Sequence, residues 1–287
     1  MRIGAFASLF APATGPALVG DLAGRLDDAA LDSLWFGEHV LLFDEMEFPY
    51  PGSADGRLPV PDGQGIPDQA PLIGFLAAHT KTLRFGTGVS LIPQRNPIYT
   101  AKEFATLDWL TGGRVDLGVG VGWCKEELLA CGYAWEDRGA RCDEALALLR
   151  SLWTEPVTNF DGRFFSVEGA RFDPKPQQKP HVPLVIGGYS DAALRRTARF
   201  GQGWLGFGLT PELTEGMLAR LDSALADAGR SRDDLEILMM PGAESDSDLE
   251  AFQALGVDRL LPMVDLSAPE QMPARVEQLQ GYQARFG

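Results

Sequence analysis

The sequence predicts an α/β chain folded as a (β/α)8 TIM barrel with insertion loops, a single domain over residues 1–287. Three observations carry this. Eight short apolar runs are each followed by a stretch of helical, amphipathic period, the pattern of parallel strands joined by crossover helices. Eight such units fill 287 residues, a length suited to that barrel, whereas a doubly wound sheet needs fewer units and usually splits into halves. The polar and glycine-rich clusters directly follow strands, and the C-terminal strand ends are where such barrels carry their chemistry.

Taken in order, the first strand is read at 2–6, ahead of a helical stretch at 17–31. Leu34, Trp35 and Phe36 form the second strand. The third, 83–89, precedes a helix at 98–110; the fourth, 114–120, precedes one at 138–153. The fifth strand, 183–186, leads to a helix at 191–200, and the sixth, 204–207, to one at 212–228. The seventh and eighth, 235–240 and 259–263, lead to helices at 247–255 and 269–285. Asp68 is placed to cap a helix starting near Gln69, and Ser190 or Asp191 to cap the one ending at Phe200, with Gly201 at its C-terminal cap. Two segments break the rhythm. Residues 42–67, rich in Pro, Gly and Asp, read as a long loop whose Phe43, Phe48 and Tyr50 can cover a pocket. Residues 156–180 read as a β-hairpin turning at Asp161-Gly162.

The net charge of −15 and pI near 4.6 argue against nucleic acid or an anionic membrane as partner, because both would repel the chain. An anionic cofactor stays open, since backbone dipoles hold phosphate in an acidic protein. Cys124, Cys131 and Cys142 show no disulfide or zinc spacing. Three scattered histidines offer no metal set, and there is no Gly-x-Ser-x-Gly elbow. No signal peptide and no bilayer-spanning run is expected, which points to a cytoplasmic, reduced protein.

Four clusters sit at strand ends. After the second strand come Gly37, Glu38 and His39. The imidazole there is a candidate proton relay, with Glu38 orienting its ring or holding the loop. His79 and His181 follow no strand and read as structural. The third strand ends in Thr87, Gly88 and Val89, a bulge or a simple barrel bend. After the fourth, Gly120, Val121, Gly122 and Trp123 bring backbone N–H groups toward a phosphate or planar ring. A dinucleotide fingerprint is set aside because its third glycine and ribose-binding acid are missing. After the fifth, Gly187, Gly188, Tyr189 and Ser190 open a helix, a layout suited to anions.

Together, "WFGEHV", "RFGTGVSLIPQRNPIYTAKEFATLDWLTGGRVDLGVGVGW" and "LVIGGYSDAALRRTARFGQGW" resemble the luciferase-like flavin and deazaflavin oxidoreductases, a likeness running from about residue 2 to 204. The resemblance implies a redox ring in the barrel mouth and a non-proline cis peptide at Gly88-Val89 behind it. It implies a cofactor phosphate near Gly187, Gly188, Tyr189 and Ser190, with residues 120–123 beside ring or tail. It makes His39 the active-site histidine. It favours coenzyme F420 and hydride transfer to a small-molecule substrate; FMN, with monooxygenation fed by a flavin reductase, is the alternative. A non-catalytic flavin-binding barrel is a lesser one. The resemblance also implies a homodimer through the third and fourth units. Sugar-phosphate dehydrogenases of the family are expected to carry an acid where this chain has Trp123, with Glu126 and Glu127 one turn on, so a sugar phosphate is not the expected substrate.

Overall fold

The computed structural model describes every residue except Ala54, which lies within the long loop expected at 42–67. Eight parallel strands close into a ring. Strand β1 is Arg2–Ile3 and Ala5–Ser8, broken at Gly4; β2 is Ser33–Phe36; β3 is Arg84–Thr87 and Ser90–Leu91; β4 is Val115–Gly120. Then come β5 (Leu184–Gly187), β6 (Gly203–Leu209), β7 (Glu236–Pro241) and β8 (Arg259–Leu260 and Met263–Asp265). Each pairs in parallel with the next, and β8 returns to β1 through Arg2↔Arg259 and Met263↔Phe6. Around the ring lie α1 (Pro16–Asp28), α2 (Gln69–Ala77), α3 (Pro97–Thr111), α4 (Arg138–Thr154), α5 (Asp191–Phe200), α6 (Pro211–Asp227), α7 (Asp246–Ala254) and α8 (Met272–Phe286). The (β/α)8 reading holds, and each strand falls where the alternation put it to within a few residues.

The strands are apolar on both faces because both are buried. One cluster packs strands against helices. A second fills the barrel itself: Phe6, Trp35, Val185, Leu205, Leu238, Met240 and Leu261, with Val89 and Met263 partly exposed at its upper edge. At the N-terminal end Arg259 plugs the ring. Its guanidinium reaches Asp116 at 2.9 Å, Asp32 at 3.0 Å and Glu236 at 2.8 Å, and Asp116 also pairs with Arg84.

Local rules explain the boundaries. Asp68 caps α2 by accepting from the Ala70 N–H at 3.0 Å, as its position suggests. Ser190, rather than Asp191, caps α5, accepting from Ala193 N–H at 3.2 Å. Gly201 does end α5, but in extended conformation; a Cβ there would meet the carbonyls of Thr197 and Gly203 at 2.9 and 3.0 Å, so it is glycine for space. The hairpin forms from Thr158–Asp161 and Ser166–Ala170, with its turn over 162–165 rather than at Asp161-Gly162. The Glu144 carboxylate accepts from the N–H groups of Arg163, Phe164 and Phe165 and so sets that longer turn. A short helix, Lys125–Ala130, follows β4 and was not legible in the sequence. Among the described residues no helix is long and apolar enough to cross a membrane, and no three His, Cys, Asp or Glu side chains are grouped to hold a metal ion.

Candidate active site

Because all eight strands run parallel, the ends of β2, β3, β4 and β5, adjacent in the ring, share one rim. His39 and the turn at 187–190 therefore lie on the same face of the barrel. His39 leaves β2 with its side chain 9% exposed, and its Nδ1 is 2.8 Å from Oε2 of Glu127. That carboxylate, fully buried, comes from the short helix after β4. Its Oε1 accepts from the N–H groups of Val40 at 2.6 Å and Leu41 at 3.2 Å. Burial pushes the Glu127 carboxyl up, but the hydrogen bond and charge of His39 and the two backbone N–H groups outweigh it, so it is held below the usual carboxylate range. The His39 ring meets Trp123 edge-on at 5.5 Å, and Tyr50 leans on Trp123 at 5.2 Å.

The contact with His39 expected of Glu38 thus comes from Glu127. Glu38 is 5% exposed and turned the other way. It accepts from Leu91 N–H at 2.5 Å and from Arg95 Nε at 2.7 Å, and Arg95 also pairs with Asp68 at 2.9 Å. It holds the end of β3 against β2 and does not reach the pocket. In sequence Glu38 and Glu127 look alike; what separates them is the direction of the chain after β2, where Arg95 and Leu91 N–H hold Glu38 and the short helix presents Glu127 to His39.

The glycine clusters also have a cause inside the protein. The Gly88-Val89 peptide is cis. Gly118 makes room for the Thr87 carbonyl, which a Cβ would meet at 1.6 Å, and the Thr87 hydroxyl donates to the Gly118 carbonyl at 2.8 Å. Thr87 is wholly buried, so it supports the bulge from behind and does not line the mouth. The Val89 side chain lies between β4 and β5: a Cβ on Gly120 would meet its Cγ2 at 2.3 Å, and one on Gly187 its Cγ1 at 2.8 Å. These two glycines accommodate Val89. Gly122 and Gly188 differ, with φ of +79° and +118°, values that favour glycine. Gly188 is fixed by the Trp204 indole, which donates to its carbonyl at 3.0 Å, and the Tyr189 hydroxyl bonds the backbone of Phe207. Burial pushes the Tyr189 phenol up to about 12, although the Phe207 backbone bond opposes it, so it stays neutral.

Three features lie at this C-terminal end of the barrel. Val89, with Phe6, Leu205, Met240 and Met263, forms an apolar floor. The N-terminus of α5 sits beside it, its Asp191 charge countered by Arg220 at 2.6 Å. A cavity of about 610 Å³ opens between His39, Trp123 and both arms of the loop at 42–67. The loop is pinned to the short helix: Glu126 accepts from Glu47 N–H at 2.8 Å and Lys125 pairs with Glu47 at 2.5 Å. Of the aromatics expected over the pocket, Phe43 lines it and Tyr50 reaches Trp123, while Phe48 stacks on Trp135 at 5.4 Å. His181 is buried and bonded to the Val182 carbonyl, and His79 bonds the Phe75 carbonyl, away from the rim.

The sequence profile of the luciferase-like monooxygenases matches residues 1–284. An F420-dependent glucose-6-phosphate dehydrogenase of Microbacterium testaceum is 35% identical over 240 residues, 81% of this chain and 70% of that one. Among solved structures, an F420-dependent secondary alcohol dehydrogenase bound to an F420-acetone adduct superposes with a TM-score of 0.76 at 18% identity, covering 97% of this chain and 98% of the other. The coenzyme F420 dependent tetrahydromethanopterin reductase of Methanopyrus kandleri gives 0.77 at 14% identity over the full length of both. At these identities the superpositions speak for the barrel fold, while the profile match over nearly all of its length decides descent: this chain belongs to the luciferase-like monooxygenase family.

Proposed function

We propose that this oxidoreductase exchanges a hydride between coenzyme F420 and a small, uncharged organic substrate, at the barrel rim that His39 and the turn at 187–190 share. The observation that carries the reading is an imidazole, backed by a buried carboxylate, at the same barrel end as an apolar floor and a helix N-terminus. The residues fit the group. A flat ring finds apolar contact on Val89 and its neighbours, with Gly88 behind it. A phosphate finds N–H groups at Gly188, Tyr189 and Ser190, the Ser190 hydroxyl, and the α5 dipole. Trp123 lines the cavity from the segment after β4, and Val121 and Gly122 lead into it. Gly120 and Gly187 serve it indirectly, through Val89.

When bound, F420 supplies a hydride donor or acceptor whose reactive carbon reacts poorly with oxygen. The chain supplies the rest. Trp123, Leu41 and Phe43 wall the substrate and exclude water. His39 takes or returns the proton that balances the hydride, worth roughly 10²–10⁴ in rate. The relative named for glucose 6-phosphate does not set the substrate. Around this cavity Arg57 stands with Asp44 and Asp62, a set that favours a neutral molecule over a phosphate dianion.

Anaerobic turnover assays with F420 and a panel of alcohols and carbonyls test this. His39→Ala is expected to lose most turnover and to keep F420 affinity; equal loss of both makes His39 structural. Floor and turn accommodate FMN as well, so oxygen uptake with FMN and a flavin reductase, without F420 turnover, replaces the reading by the monooxygenase one. Binding without turnover in either assay would leave a carrier barrel. For quaternary structure we keep the third unit of the expected contact, α3, and propose a homodimer through it and the neighbouring α2 of the second unit, in place of the fourth. Tyr99 and Leu110 are 71% and 60% exposed on one side of α3, and an apolar groove of about 340 Å³ runs beside them against Ala70 and Pro71. Light scattering on Tyr99→Glu checks it: a monomer is expected.

A further inference from the structure

We infer that Glu127 is a positioning residue: it fixes His39 as the tautomer with hydrogen on Nδ1, leaving Nε2 bare toward the cavity as the proton acceptor. The inference rests on the catalytic reading of His39 and deepens it. An alcohol that becomes a carbonyl loses one hydride and one proton, and the proton needs a base with a free lone pair. A neutral imidazole carries one N–H and one lone pair, and its surroundings choose which nitrogen has which.

The geometry makes the choice. An ionised carboxylate only accepts hydrogen bonds. Glu127 is fully buried and presents Oε2 to Nδ1 at 2.8 Å, so Nδ1 donates. Two backbone N–H groups donating to its other oxygen favour the ionised form. Its Oε1 is committed to the Val40 and Leu41 N–H groups, so the carboxylate has little freedom to turn. The same residue thereby ties the ring's orientation to the seat of the loop that walls the cavity.

Glu127→Gln separates the two jobs. The glutamine oxygen still accepts from Val40 and Leu41 N–H, and its NH₂ then faces Nδ1. That nitrogen must become the acceptor, so the hydrogen moves to Nε2 and the cavity loses its base. The test is nitrogen–proton correlation NMR of the ¹⁵N-labelled apoprotein, where only His39, His79 and His181 contribute and His39→Asn identifies the signal. Wild type is expected to show neutral His39 with hydrogen on Nδ1, and Glu127→Gln the reverse, with unchanged backbone signals at 40 and 41. In turnover, Glu127→Gln is expected to lower kcat by about 10²-fold or more, with KM little changed, and Glu127→Asp to recover part of it. Hydrogen on Nε2 in wild type, or a tautomer indifferent to Glu127→Gln, overturns the inference. Because the tautomer is read without cofactor, the role of Glu127 stands or falls separately from the F420 reading.

Discussion

If Gly120 and Gly187 are glycine to make room for Val89, a single methyl group will show it. Gly120→Ala puts a Cβ 2.3 Å from Val89 Cγ2, where ordinary contacts begin near 3.4 Å, and so demands a displacement of about 1 Å. Val89 has nowhere to go, because its other methyl already lies against Gly187, at 2.8 Å from where a Cβ would stand. Overpacking of this kind costs about 1–3 kcal/mol. Val89→Ala removes two partly buried methyl groups and alone costs roughly 1.5 kcal/mol at about 0.8 per methyl. It also removes the clash, so the double variant should be less destabilised than the sum of the singles, by a coupling of about 1–3 kcal/mol. Urea unfolding of the four proteins gives the cycle. Simple additivity would refute the reasoning. So would a Gly120→Ala protein of normal stability that no longer binds F420, for then the ligand itself would be reading the glycine.

Other parts of the molecule give further checks. Replacing Arg259 with Met strands Asp116, Asp32 and Glu236 around an empty centre and should cost about 3–5 kcal/mol, read from the urea midpoint, with the rim chemistry intact until unfolding. The Asp27 carboxylate is pushed up by burial but drawn down further by the Thr82 hydroxyl and the N–H groups of Lys81, Thr82 and Leu83, to about 2. A lowered folded-state value gives stability that is present above the unfolded value, near 4, and lost as pH falls toward 2. Screened by solvent, the share is about 1 kcal/mol, so Asp27→Asn should flatten the acid limb of stability between pH 4 and 2. Burial pushes the Cys142 thiol up to about 12, so alkylation at pH 8 should modify it only on unfolding, while the less buried Cys131 reacts first; mass spectrometry of digests reports the order.

The ring of strands was legible because a strand buried on both faces is an apolar run and each crossover helix carries a 3.6-residue period. Asp68 was legible as a cap, and Ser190 as one of two candidates beside Asp191, because a short polar side chain ahead of a helical period can accept from the free N–H groups of the first turn. What the sequence did not disclose depends on side-chain direction. Glu38 sits beside His39 in the chain yet points to Arg95, and the partner of the imidazole lies 88 residues further on. Glu126 and Glu127 register in the sequence only as acids one turn after Trp123, until the short helix turns Glu127 inward. The glycine runs hinted at a ligand, but Gly118, Gly120 and Gly187 answer first to Thr87 and Val89, contacts between strands that no single run contains. The hairpin turn slipped because Glu144, on α4, gathers three N–H groups that turn statistics do not see.

In the proposed holoenzyme one rim grips a flat redox ring on the Val89 floor and its phosphate at the α5 N-terminus. Fluorescence titration of the purified apoprotein with F420, and in parallel with its dephosphorylated chromophore, tests this most directly. Saturable binding of one F420 per chain is expected, with at least about 10-fold weaker binding of the chromophore, as loss of charge-assisted bonds to backbone N–H requires. Equal affinity for both, or no saturation with F420, would contradict it.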